Sequence, residues 1–145
     1  MDILLVEDNP GDTRLAQEAF RHSNAPVTLH IVSDGEDAMS FLRREGVHVH
    51  VNVHVPRPPL ILLDLNLPKL SGRETLAQIK GDNRFKSIPT VILTTSDAEE
   101  DISYCYENYA NCYVRKPAQW DAFGDVVKHV NSVWLGLALL PPVRG

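Results

Sequence analysis

Short apolar runs and amphipathic stretches take turns along the chain, and the two patterns predict two kinds of element. Ile3-Leu4-Leu5-Val6, Leu60-Ile61-Leu62-Leu63 and Val91-Ile92-Leu93 are short, unbroken apolar runs. Runs of this kind suit strands buried on both faces, as in a parallel sheet covered by helices. Val27 to Val32 reads as a further strand, and Cys112-Tyr113-Val114 as a short last one.

The segments between them read as helices with legible starts. Asn9-Pro10 sets an N-cap before a proline at the first helical position, and Leu15, Ala19 and Phe20 then share an apolar face. Asp34 can cap a second helix carrying Ala38, Phe41 and Leu42. Ser71-Gly-Arg-Glu74 and Ser96-Asp-Ala-Glu99 both fit the S-x-x-E capping box, and each is expected to open a helix. The first continues through Leu76 and Ile79, the second through Ile102, Tyr106 and Tyr109. A fifth helix is predicted from about Gln119 to Leu135. Five strand–helix units in succession predict a doubly wound α/β sheet with right-handed crossovers. Ligands of such sheets gather at the carboxyl ends of the strands, beside the switch point.

Those strand ends carry the candidate chemistry. The first predicted strand ends in Glu7-Asp8, the third in Asp64, the fourth in Thr94-Thr95-Ser96 and the fifth in Lys116-Pro117. Taken singly, Asp8 reads equally well as a helix cap, Thr94 as a β-branched strand residue and Lys116 as a surface charge. Together they place three carboxylates, a hydroxyl and an ammonium on one sheet edge. Clustered carboxylates repel unless a cation joins them, and all-oxygen donors favour a hard divalent ion such as Mg²⁺. With a lysine and a hydroxyl alongside, the set suits attack by an aspartate on a phosphoryl donor, giving an acyl phosphate.

Composition narrows the field. A chain of 145 residues with 43% apolar and 23% charged residues is long enough for one domain with a real core. A net charge of −5 argues against bulk nucleic-acid binding. No apolar run is long enough to span a membrane, and the N-terminal MDILLVEDNP lacks the features of a signal peptide. Cys105 and Cys112 form no metal or disulfide pattern, which suits a reducing cytoplasm.

VEDN, ILLDLNLPKLSG, PTVILTTSD and YVRKP, in this order and spacing, closely resemble the receiver domain of two-component response regulators. The resemblance covers nearly the whole chain and implies a flavodoxin-like (βα)₅ sandwich with strand order 2-1-3-4-5. It implies Asp64 as phosphoacceptor, with Glu7, Asp8 and the backbone carbonyl of Asn66 as further Mg²⁺ ligands. By the same resemblance Thr94 is the switch hydroxyl, Tyr113 its aromatic partner and Lys116 the phosphate contact, followed by a cis Lys-Pro bond. Many receivers carry two aspartates at the end of the first strand; Glu7 stands in place of one, and retained function is expected. VEDNPGD, the long connector before the third strand and LTTSDAEEDI look most like stand-alone regulators partnered with bacterial phytochromes. The implied donor is a sensor histidine kinase of that kind.

The receiver domain is expected to span 1–135, with a tail at 136–145 and no output domain. Signalling then proceeds by contact. Trp120, Phe123, Val127, Val130, Trp134 and Leu137 fall at helical spacing, widened by Val126 and Val133. This stripe is either a broad core face or a dimer surface, and a homodimer through it is the expectation. Among other functions, a haloacid-dehalogenase-type phosphatase lacks its second acid, because position 66 is Asn66. A nucleotide-binding flavodoxin-like domain lacks a Gly-rich loop after the first strand. A pseudo-receiver acting only as an interaction module remains the alternative. HVHVNVHVPRPP, residues 48–59, alternates His48, His50 and His54 with valine, as a half-buried strand or a metal-binding strand does. Arg57-Pro58-Pro59 cannot sit in a central strand. The stretch is therefore expected to be an extended loop on the side away from Asp64.

Overall fold

The computed structural model describes residues 1–22, 26–44 and 57–142. Five strands, β1 (Asp2–Val6), β2 (Thr28–Val32), β3 (Leu60–Leu63), β4 (Thr90–Thr94) and β5 (Cys112–Arg115), form one sheet. All pairings are parallel, and the spatial order is β2-β1-β3-β4-β5. The unbroken apolar runs lie in the middle of this order. Every residue of β3 and β4 is buried, whereas the edge strands β2 and β5 are largely half-buried.

Alternation along the strands divides the core into two layers. Leu4, Val6, Ile61, Leu63 and Ile92 face one way, against α2 (Gly35–Arg43), α3 (Gly72–Gly81) and α4 (Glu99–Glu107). Ile3, Leu5, Leu60, Leu62, Val91 and Leu93 face the other way, against α1 (Pro10–Arg21) and α5 (Phe123–Asn131). No described helix is long and apolar enough to cross a membrane.

Three of the four predicted caps form. The side chains of Asn9, Asp34 and Ser71 accept from the amides of Asp12, Asp37 and Glu74. The box at Ser71 closes fully, with its hydroxyl donating to the Glu74 carboxylate at 3.1 Å. The one predicted at Ser96 does not form. The helix begins later, with Ala98 at the cap position: the Ser96 Oγ accepts from the Ala98 amide at 3.3 Å rather than from that of Glu99, and donates to Asp101 at 2.6 Å.

The fifth helix is also less regular than its periodicity predicts. A 3₁₀ turn at Trp120–Ala122 leads into α5, and a π-helical segment, Ser132–Leu137, follows. Its apolar stripe is not a free face: Phe123, Val127 and Val130 are buried in the chain's own core, and Trp134 packs against the same cluster. Of the expected dimer surface, Phe123, Val127 and Val130 are therefore taken up within the chain's own core, against α1 and the sheet. The side chain of Trp120 lies outside the described residues. The Lys116–Pro117 peptide is trans rather than cis, the isomer that X–Pro bonds favour by about 0.5–1 kcal/mol. His48, His50 and His54 lie outside the described residues, while Arg57, Pro58 and Pro59 precede β3 without joining it.

Candidate phosphoryl-acceptor site

The carboxyl ends of β1, β3, β4 and β5 meet at one edge. Asp64 follows β3 directly and is pinned on both sides: its amide donates to the Val6 carbonyl at 3.1 Å, and its Oδ1 accepts from the Asn66 amide at 3.3 Å. The loop after it turns tightly enough that the Gly72 amide donates back to Leu65 at 3.0 Å. A Cβ on Gly72 would lie 2.2 Å from the Asp64 carbonyl oxygen, so only glycine lets α3 start this close beneath the loop after Asp64.

Glu7 leaves β1 buried, and its Oε2 folds back onto the amides of Asp8 and Asn9, at 3.1 and 3.4 Å. Its Oε1 accepts from the Lys116 ammonium. That ammonium, itself 6% exposed, also donates to Asp12 Oδ2 at 2.8 Å and to Asp64 Oδ2 at 3.3 Å. All three of its protons are thus committed to carboxylates. The ring of Phe123 lies 5.3 Å from the same nitrogen.

This is a strongly coupled set. Burial, together with the neighbouring Asp64 carboxylate, holds the Glu7 carboxyl well above the usual range, against the pull of Lys116. Burial pulls the Lys116 ammonium down, but the Asp12, Glu7 and Asp64 carboxylates outweigh it and hold it above its ordinary value. One cation among four acids leaves negative charge uncompensated. Carboxylate oxygens of Glu7, Asp8 and Asp64 lie within 4.8 Å of one another, with Asp8 exposed at the mouth. An all-oxygen donor set of this size fits a hard divalent cation.

Thr94 is fully buried at the end of β4, and its Oγ1 accepts from the Ser96 amide at 3.5 Å. Tyr113 is half-buried and donates its hydroxyl to the Ser96 carbonyl at 2.8 Å. The structure therefore brings Glu7, Asp8, Asp64, Thr94 and Lys116 to one sheet edge, with Tyr113 tied to the loop after Thr94. It does not bring the α5 stripe there, apart from Phe123. Sequence reasoning missed Asp12. Its signal was an acid in the first turn of the helix after Glu7-Asp8, which reads as an ordinary partner for the helix dipole.

Fold and site together define the class: a flavodoxin-like α/β domain with an acidic, lysine-bridged cluster beside its switch point. The chain belongs to the response regulator receiver domain family, whose model matches residues 3–128. It is 45% identical over 139 residues to response regulator Rcp1 of Synechocystis, covering 96% of this chain and 92% of that one. A probable methanogenesis regulatory protein, FilR2 of Methanothrix harundinacea, is 37% identical, over 92% of this chain and 83% of that one. Among solved structures, the phosphorylated cyanobacterial phytochrome response regulator RcpA superposes with a TM-score of 0.90 at 47% identity, covering 97% and 98% of the two chains. The Mn²⁺-bound form of Rcp1 gives the same TM-score at 45% identity, over 97% and 99%.

Proposed function

We propose that this response regulator accepts a phosphoryl group on Asp64 from a sensor histidine kinase and passes the signal on through Thr94 and Tyr113. The observation that carries the reading is the juxtaposition at Asp64: a buried carboxylate bridged by Lys116 to Glu7, with Asp8 within ligand distance. In the reaction an Asp64 oxygen attacks phosphorus, the P–N bond of the phosphohistidine breaks, and the imidazole leaves. Glu7, Asp8, Asp64 and the Asn66 carbonyl would hold a Mg²⁺ ion, which when bound supplies neutralising charge to the transferring group. Lys116 redirects its protons to the new phosphoryl oxygens, and the Thr94 hydroxyl donates to another. Phosphorylation adds roughly −1.5 to −2 charges at this point, and the movement of Thr94 is read by Tyr113. The only chemistry proposed for the chain is its own phosphorylation at Asp64 and the later dephosphorylation of that residue.

Likeness to Rcp1 and to the phytochrome regulator RcpA supports a bacteriophytochrome as the kinase. A cytoplasmic setting fits the two free cysteines. A homodimer belongs to the same proposal. With the α5 stripe buried, its apolar surface is Val133, Leu137 and Leu139, which are 48%, 80% and 100% exposed. A monomeric mass at micromolar concentration, with and without phosphorylation, would remove that part.

The deciding experiment incubates the chain with Mg²⁺ and a small acyl phosphate and reads the intact mass. One phosphoryl adduct on the wild type, absent from Asp64→Asn, is expected. No adduct on the wild type would leave the pseudo-receiver reading in its place.

A further inference from the structure

Asp12 is the one member of the charge cluster that the proposed phosphoryl transfer does not use. It sits in the first turn of α1, where a carboxylate ordinarily faces solvent and the bare amides of the helix start. Here its side chain is only 13% exposed and reaches across 104 positions of sequence to Lys116. Its contact with the ammonium, 2.8 Å, is shorter than that of the acceptor Asp64, 3.3 Å. Capping does not require the side chain, because the cap bond from Asn9 uses the Asp12 backbone amide at 3.1 Å.

We propose that Asp12 is a positioning residue for phosphoryl uptake, one that shares the Lys116 ammonium with Asp64 and adds negative charge where an anionic donor must approach. Three carboxylates draw on one ammonium nitrogen, and a phosphoryl donor bringing its own oxygens is a further claimant. Glu7 is fixed by two backbone amides and Asp64 by the Asn66 amide, so their positions are set by the backbone. Among the described residues, the Asp12 side chain bonds only to Lys116. The ammonium is thus drawn away from the donor by a group whose other role, charge at a helix start, any acid could fill. Replacing Asp12 by a neutral residue leaves Lys116 with one competitor fewer and the donor with one repulsive charge fewer. The effect falls on donor binding and leaves the chemical step nearly as it was. This inference rests on Asp64 being the phosphoacceptor.

The test measures initial rates of adduct formation on the full chain by intact mass, with saturating Mg²⁺ and acetyl phosphate as donor, at two ionic strengths. Wild type is compared with Asp12→Asn, Asp12→Ala and Asp12→Glu. For Asp12→Asn the half-saturating donor concentration should fall about fivefold while the limiting rate stays within about twofold, the signature of lost ground-state repulsion. Its dependence on ionic strength should be shallower than that of the wild type. Asp12→Ala, which cannot accept from Lys116 at all, should fall at least as far, and Asp12→Glu should restore wild-type behaviour. A merely structural role for Asp12 would alter neither the split between the two kinetic constants nor the salt dependence. Wild-type uptake with an unchanged or higher half-saturating concentration in Asp12→Asn overturns this inference alone. A wild type that never takes up the group overturns the phosphoacceptor reading, and this inference with it.

Discussion

The hydroxyl of Tyr113 on β5 donates to the carbonyl of Ser96, 2.8 Å away in the loop after β4. This bond ties the last strand to the segment that follows Thr94, whose Oγ1 accepts from the amide of the same Ser96. Tyr113→Phe keeps the ring and deletes only the bond. It should cost about 0.5–1.5 kcal/mol, the net value of a typical hydrogen bond. Urea denaturation checks this: the midpoint should fall with the slope unchanged, and an unaltered midpoint would show that the bond adds nothing.

Removing the ammonium should be far more costly than removing the phenol. Lys116→Met fills similar space but leaves Glu7, Asp12 and Asp64 together without their shared cation. Stranding buried charge in this way typically costs about 3–5 kcal/mol. The loss should be greatest in chelator at neutral pH and smaller with millimolar divalent cation, read from thermal midpoints. Equal losses in both conditions would contradict the account of the cluster.

Gly72→Ala tests the close approach beneath the loop after Asp64. The added methyl meets backbone, the Asp64 carbonyl and the Leu65 Cα at 2.2 and 2.3 Å, so neither neighbour can rotate away. Overpacking of this kind costs about 1–3 kcal/mol or more. The strain lands on Asp64, so divalent-cation affinity should weaken alongside stability. An alanine variant with wild-type affinity and stability would show that the loop yields without cost.

Lys80 offers a test at the far end of the sheet. Its ammonium donates to the carbonyls of Lys86 and Ile88 and to the Asn111 side chain, at 3.0, 2.9 and 3.0 Å, closing the loop that leads into β4. Lys80→Met should cost about 1–3 kcal/mol by leaving those acceptors less well paired. Phosphoryl uptake at Asp64 should be unchanged, because the lesion is confined to the other end of the strands.

Burial should separate the two cysteines in reactivity. Burial, with Asp101 adding to it against Arg73, pushes the Cys105 thiol from 9.0 up to about 11. An acid raised in this way keeps its proton in the folded state while the unfolded chain loses it. Its contribution to stability is full below about pH 9 and is lost as the pH climbs towards 11. At pH 9 a small alkylating reagent should modify Cys112, which is half-buried, at least about tenfold faster than fully buried Cys105. Equal rates, read by peptide mass, would contradict the burial.

What was legible in the sequence followed from local rules, and what was not required partners distant in the chain. Ile3–Val6, Leu60–Leu63 and Val91–Leu93 declared central strands because only burial on both faces suits unbroken apolar runs. Asn9, Asp34 and Ser71 declared helix starts because a cap is satisfied within three residues. Ser96 met the same rule and failed it, since its oxygen accepts from the Ala98 amide, one residue short of the cap geometry. The stripe of Phe123, Val127 and Val130 was visible, but helical periodicity cannot tell an intramolecular partner from a second copy, and α1 is what covers it. Asp12 was hidden for the same reason: its meaning lies in Lys116, which sequence proximity does not suggest.

The placement of Tyr113 and Lys116 has a mechanical consequence. Neighbouring strand positions point to opposite layers: Tyr113 packs towards α4, while Val114 and the ring of Phe123 beneath Lys116 belong to the layer of α1 and α5. One edge strand of four residues therefore touches the charged cluster with one end and the opposite layer with its middle. It is held by a single ladder, to β4. In the proposed mechanism a displacement of Lys116 is passed to the α4 side through this edge strand and the Tyr113–Ser96 bond. On the proposed reading, this one short segment links the acceptor site to the α4 face.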